Sequence, residues 1–429
     1  VAKSSTNETV NAAAISWRNY AVITAAYWAF TLSDGALRTL VLLYFHSQGY
    51  AAITLAFMFV LYEIAGIFAN ALGGWLGGRK GLRLTLIAGL GLQVVALLGL
   101  SFIDQQNTAL LSVVAIMLFQ GLAGVAKDLT KMSAKSAIKA VVPANQDTLL
   151  FRWVALLTGS KNALKGVGFF AGGLLLYAIG YESTLYTMAA MLTIVLGASF
   201  TLLPSDLGRS KVKKSLRSLF ARSRGINILA AARLFLFASR DVWFVVGVPL
   251  FLAGFLQWNF WQVGAFMGLW TIGYGIVQAV TPRLLRSWLK GAAPQGRTAA
   301  NLAVVLLLVT VLMPIALHFG FDPQAVVLFG LAAYGIVFAI NSSVHSYLVL
   351  FYSTGDEVAS DVGLYYASNA AGRLLGTLAS GTLAWIGGSM GIGGLLFCLW
   401  GSVALVACCV VLSIFLPRSP VNTGPFATT

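Results

Sequence analysis

Runs of mostly apolar residues, separated by short polar breaks, recur twelve times along the chain, near 17–45, 50–77, 84–103, 108–126, 151–179, 183–203, 226–254, 261–281, 298–317, 324–351, 361–386 and 391–416. A helix needs about 20 apolar residues to cross the hydrocarbon core of a bilayer. Each run has roughly that length, so the pattern predicts an all-α polytopic membrane protein. Composition agrees: 59% of the residues are hydrophobic and 10% charged, with a mean hydropathy of +0.85. A soluble domain carries roughly 25% charged residues.

Charge sits in the breaks, and on alternate ones. Of the 28 Lys and Arg, 22 fall in six stretches. These are Lys3 and Arg18; Arg79, Lys80 and Arg83; Lys127, Lys131, Lys135, Lys139 and Arg152; Arg209 to Arg224; Arg283 to Arg297; and Arg418. The intervening breaks "HSQGY", "DQQN", "GYES", "GFLQWN", "HFGFDPQ" and "GGSMG" hold none. By the positive-inside rule the basic side is cytoplasmic, which puts both termini and the central linker there. The net charge of +15 therefore reflects orientation in a lipid bilayer, and no nucleic-acid partner is expected. One connection on the basic side, "STGDEVASD", is acidic instead, and nothing in the sequence accounts for it. Residues 1–16 are polar and small and lead into a full span, so no cleavable leader is expected.

The basic stretch 204–225 divides the chain nearly in half. The expected organisation is an N-terminal tail (1–16), a six-helix bundle (17–203), a linker (204–225), a second six-helix bundle (226–416) and a C-terminal tail (417–429). The halves echo each other weakly. "AFMFVLYEIAGI" (56–67) lies over "AFMGLWTIGYGI" (265–276), and "TLSDGALR" in span 1 over "FASRDVWF" in span 7. Six plus six helices related by a repeat is the major facilitator pattern, with substrate bound near the bilayer midplane. The loop "GWLGGRKGLR" (74–83) resembles the facilitator motif Gly-x-x-x-Asp-Arg-x-Gly-Arg-Arg at Gly74, Arg79, Gly81 and Arg83, with Gly78 in place of the Asp. Span 5 carries "GVGFFAGGLL", like the antiporter stretch of that family without its Gly-Pro. Gly168 and Gly172, four residues apart, suit close helix packing.

Six bases remain once the cytoplasmic ones are set aside: Arg38, Lys161, Lys165, Arg233, Arg240 and Arg373, in spans 1, 5, 7 and 11. Spans 1 and 7 are repeat mates, as are 5 and 11. Three acids face them, Asp34, Glu63 and Asp241, leaving three positive charges in excess. Pairing within the set is the simplest reading; Asp34 and Arg38 are spaced for it at i, i+4, and Arg233 could snorkel. Pairing cannot neutralise all six bases, because the acids run out. Lys161 shares a helical face with Lys165, and Arg233 with Arg240. Cations converging in a wet cavity make an anion site, Arg supplying a planar fork for oxyanions and Lys a mobile point charge. The expected cargo is a small, multiply charged, phosphorylated anion. Asp34, Glu63 and Asp241 are candidates to carry a coupling proton or to act as fixed counter-ions, because desolvation raises a carboxyl group toward a usable range. The stripe Lys127, Lys131, Lys135 and Lys139 reads as a solvated or headgroup-facing surface.

Catalytic readings fall away. "GGSMG" (387–391) fits a nucleophile-elbow pattern, but that motif needs a preceding strand, and here it joins two helices. His46, His318 and His345 fit no metal-ligand spacing. Cys398, Cys408 and Cys409 lie in the last span, where Cys is an ordinary small apolar residue. No catalytic residue, metal or cofactor is expected, and the chain reads as a transporter rather than an enzyme.

Several long stretches together resemble the ArsJ-type organoarsenical efflux permeases, major facilitator proteins of bacterial arsenate-resistance operons. They are "YWAFTLSDGALRTLVLLYFHSQGY", "GLAGVAKDLTKMSAKSAIKAVVP", "LLTGSKNALKGVGFF" and "ARLFLFASRDVWFVVGVPL". The likeness covers most of the chain and is strongest from residue 17 to about 280. It implies a protein of the bacterial inner membrane that exports 1-arseno-3-phosphoglycerate, the unstable ester made when glyceraldehyde-3-phosphate dehydrogenase uses arsenate. Organophosphate–phosphate exchangers of the same superfamily are understood to hold phosphate with an Arg from span 1 and one from span 7. Arg38 with Arg233 or Arg240 would play that part, the choice between the two being left open. The alternative is a proton-coupled major facilitator exporter of other organic anions or drugs.

Overall fold

The computed structural model describes residues 2–69, 82–103, 109–141, 147–204, 223–290, 294–352, 358–388 and 391–417. Twelve helical segments run through them, with no strand among the described residues. They are α1 (Ala2–Ser47), α2 (Ala52–Ala69), α3 (Leu82–Ser101), α4 (Ala109–Val141), α5 (Asp147–Ile179) and α6 (Tyr181–Leu202). The second six are α7 (Arg224–Phe255), α8 (Phe260–Trp288), α9 (Gly296–His318), α10 (323–352), α11 (Val358–Ile386) and α12 (Ile392–Ile414). Ten are long and apolar enough to span a membrane. The two that fall short are α1 and α11, whose apolar runs are diluted by polar and charged residues, Asp34, Arg38 and Arg373 among them. The expected tail 1–16 enters α1 at Ala2, so it continues the first span's helix. Most of the loop 74–83, the linker from 205 to 222, residues 353–357 of "STGDEVASD", the centre of "GGSMG" and Arg418 lie outside the described residues.

Contacts divide the chain into two compact units. The first comprises Val1–Tyr50, Phe57–Lys214 and Gln257–Gly275; the second comprises Ala51–Ala56, Ser215–Leu256 and Ile276–Thr429. Within the first, α1 packs on α4, α5 and α6, and α3 packs on α4 and α6. Within the second, α7 packs on α10, α11 and α12, and α9 packs on α10 and α12. These are the same pairs moved six helices along, so the faint sequence echo has a packing counterpart.

A close backbone contact in each unit repeats too. A Cβ on Gly168 would lie 2.4 Å from the Leu32 carbonyl oxygen, and one on Gly172 would lie 2.3 Å from that of Ala36. On α11, Gly372 and Gly376 stand in the same relation to the carbonyls of Leu234 (2.2 Å) and Ala238 (2.7 Å). Helices in lipid gain nothing from burying apolar surface against one another, so backbone proximity at small residues drives their association. In this frame Arg38 lies two residues beyond Ala36, and Arg240 lies two residues beyond Ala238. Outward faces are apolar: Leu111, Val114 and Leu118 on α4, and Val305, Leu308 and Leu312 on α9, are exposed. Lipid is the solvent that such faces require.

Helix α7 is enclosed on nearly all sides, yet it breaks at Val245–Val246. Pro249 follows four residues after Val245, where its ring displaces the helical carbonyl. The Ser380 hydroxyl of α11 accepts from the freed amides of Val246 and Gly247, both at 3.1 Å. A π-helical turn, Phe251–Phe255, completes the segment. At the far end of the unit, beyond the span, Tyr352 donates to the Pro417 carbonyl (2.6 Å), and burial pushes its phenol up to about 12.

Replacing Gly172 by Leu should abolish recovery of folded protein, because the added side chain meets backbone. Gly197→Leu, on a face with nothing within 4 Å, should be recovered at the wild-type level. Fluorescence-detected size exclusion of the two variants from detergent-solubilised membranes checks this.

Candidate functional site

In the first unit the close packing of α1 on α5 fixes the height of Asp34 and Arg38. Arg38 forms an ion pair with Glu63 of α2, which is fully buried. Its guanidinium lies 5.4 Å from the Phe59 ring centroid and 5.2 Å from that of Tyr62. Asp34 accepts a 2.6 Å hydrogen bond from the Tyr62 hydroxyl. The expected i, i+4 partnership of Asp34 and Arg38 is thus replaced by bonds that both residues make to α2, Tyr62 and Glu63 being adjacent there. Glu63 cannot stay charged in an apolar interior without such a partner, and Arg38 supplies it.

Lys127 joins this cluster, contrary to its expected place on a solvated stripe. Its buried ammonium lies 3.8 Å from the Tyr62 ring centroid, a cation–π distance. Beside it Asp128, 1% exposed, accepts from Lys131 at 3.2 Å. The side chains of Lys135 and Lys139 lie outside the described residues. The missed signal was the Lys-Asp pair in "GVAKDL": a buried carboxylate beside a base belongs to a network, not to a solvated face. On α5, Lys161 and Lys165 are half-buried, and the Lys165 ammonium lies 5.6 Å from the Phe169 ring centroid.

The second unit builds a parallel arrangement on α7. Arg240 folds around the helix onto its neighbour Asp241, its Nε donating at 2.6 Å to a carboxylate that is fully buried. The guanidinium lies 5.1 Å from the Phe237 centroid, with Phe244 and Phe338 at 5.6 and 5.8 Å. Arg38 and Arg240 match in several respects: position in the packing frame, an acid with no exposure, aromatic flanks, and side chains 12% and 16% exposed.

Arg233 differs. It is 5% exposed and does not snorkel. Its Nη1 donates to the carbonyl and hydroxyl oxygens of Ser342, both at 3.0 Å. The guanidinium lies 4.0 Å from the Phe237 centroid and 4.7 Å from that of Tyr365, and its Nε has no partner among the described residues. The structure gives it neutral acceptors and ring faces, with no carboxylate ion pair among the described residues. Gln278 also donates to the Ser342 hydroxyl (3.2 Å), and Tyr365 shares a hydrogen bond with Ser346 (3.0 Å). Arg373 sits half-buried on α11 beside Gly372. Ser342 and Ser346 come from "NSSVHS" in span 10, a polar run inside an apolar span that sequence reading passed over because it carries no formal charge.

A family model described as Major Facilitator Superfamily matches residues 20–352. The chain belongs to the major facilitator superfamily. Solved structures of such breadth agree in fold. A mutant of the nucleoside transporter NupG aligns with a TM-score of 0.70 at 17% identity, over 94% of this chain and 98% of that one. A bacterial homologue of the iron transporter ferroportin aligns in its inward-facing state at 0.69 and 14% identity, over 93% and 98%. The iron-soaked, outward-facing form of that homologue gives 0.64 and 15%, over 92% and 98%. A search of curated proteins returned no match. This facilitator protein is a multi-pass membrane transporter.

Removing one member of a buried ion pair costs about 3–5 kcal/mol, because the other charge is stranded. Glu63→Gln should therefore lower the melting temperature of the purified protein markedly. Adding Arg38→Gln to it should restore part of the loss. A double-mutant thermal series reads this directly, and additive losses would show that the two side chains are not coupled.

Proposed function

We propose that this facilitator protein exports a small phosphorylated anion, 1-arseno-3-phosphoglycerate, by alternating access and so confers arsenate resistance. Arg233 carries the reading. A guanidinium buried against neutral groups keeps donors and charge for a ligand, whereas Arg38 and Arg240 have each spent theirs on a carboxylate. Lys161, Lys165 and Arg373 add to the cationic surplus, and Glu63 and Asp241 serve as counter-ions that hold Arg38 and Arg240 in place, while Asp34 is held by Tyr62. An ester with phosphate and arsenate ends is the kind of ligand that such an excess suits. The resemblance to ArsJ-type permeases supports the same cargo, supplied in the cytoplasm by glyceraldehyde-3-phosphate dehydrogenase.

The energetics also favour export. With both termini and the basic loops inside a cell whose interior is negative, each negative charge moved outward gains about 2.3 kcal/mol per 100 mV. A multiply charged cargo thus runs down the membrane potential, and an antiported proton is not needed to drive it.

Cells carrying this protein together with the dehydrogenase should gain arsenate resistance, while either alone should not. Everted vesicles should take up freshly made 1-arseno-3-phosphoglycerate, and Arg233→Gln should cut the initial rate at least tenfold. Undiminished flux in that variant, or resistance to unrelated drugs in place of arsenate, would favour a general organic-anion or drug exporter.

A further inference from the structure

His345 on α10 is fully buried, and neither of its ring nitrogens has a hydrogen-bond partner among the described residues. Burying such a group unsatisfied costs about 1–3 kcal/mol, so its persistence calls for an explanation. Its surroundings supply one. His345 lies one helical turn from Ser342, whose oxygens hold Arg233, and Arg233 is the charged group in electrostatic reach of the imidazole. From α11 the titratable neighbour is Tyr365, already bonded to Ser346. From α12, Cys409 is buried within reach of the same guanidinium. Helix α9 carries its titratable groups, Arg297 and His318, exposed at its two ends.

We propose that His345 is a proton-binding residue linked to anion occupancy at Arg233. A proton on the imidazole sets a second positive charge beside the guanidinium, in surroundings of low polarity. Only an anion drawn to Arg233 offsets that repulsion. Proton and anion therefore stabilise one another, and by linkage each raises the affinity for the other by the same factor. The proton moves from solvent to an imidazole nitrogen when the anion binds, and it leaves when the anion leaves. This assignment rests on the anion reading above.

The test is calorimetric titration of the purified full-length protein with 3-phosphoglycerate at pH 7, in two buffers of different ionisation enthalpy. Comparing wild type with His345→Gln cancels the protons taken up by the ligand itself. Wild type should take up at least half a proton more per anion bound than the variant. Its affinity should also rise severalfold more steeply between pH 8 and pH 6. Equal uptake, with both proteins binding, overturns the role of His345 and leaves the anion site standing. No binding to wild type overturns the anion reading and this inference with it. Should His345→Gln not fold, inorganic sulfate replaces the ligand, since it stays doubly charged throughout. Wild type must then still take up a proton on binding, and sulfate that binds without uptake, or fails to bind, overturns the assignment.

Discussion

A charge removed from water must be met inside the protein or not exist there, and the interior of this molecule is arranged around that rule. Glu63 and Asp241 are fully buried, which is tolerable because Arg38 and Arg240 reach them. Aromatic rings do the remaining work, with Phe59, Tyr62, Phe237, Phe244 and Phe338 turning faces toward guanidinium groups. Desolvated contacts of that kind are worth about 2 kcal/mol or somewhat more, against a cost of several kcal/mol for burying the ion. They supplement carboxylates and do not replace them. Arg233 is therefore the informative side chain, because it is buried on rings and a serine alone. Its burial is a standing cost that a negatively charged ligand would relieve.

The same logic links sequence to packing. Glycine at four-residue spacing on α5 and α11 lets α1 and α7 approach to backbone contact, and Asp34, Arg38, Arg233, Arg240 and Asp241 ride on those two helices. A polar helix in lipid needs neighbours on most of its surface. Those neighbours need small residues to come close enough to cover it. That requirement explains why the spans with the weakest hydropathy, α1 and α11, each belong to one of the closely packed pairs.

Much of the fold was legible from the chain alone. Apolar runs and alternating basic loops specify twelve helices, and Gly168 and Gly172 announce a close contact before any partner is known. The site was legible only in its formal charges. Reading Asp34 against Arg38 at i, i+4 missed Glu63, because a neighbouring helix offered a better approach than the same helix did. Lys127 was assigned to a surface because three more lysines follow it at the same spacing. Periodicity describes a face, but only tertiary packing decides what covers it. Ser342 escaped notice, and His345 was weighed only as a metal ligand, because neutral polar groups leave little trace in a charge count, although both stand beside Arg233, which has no carboxylate partner among the described residues. The break in α7 could have been inferred from Pro249; its repair by Ser380, 131 residues further on, could not.

The central claim is that a cation held in reserve on α7 receives a moving anion. Current recorded from proteoliposomes on a solid-supported membrane tests it most directly. Addition of 3-phosphoglycerate should displace negative charge, uridine at the same concentration should not, and the signal should vanish in Arg233→Gln. A phosphate ester that moves no charge, or a current of unchanged size in that variant, would contradict the account.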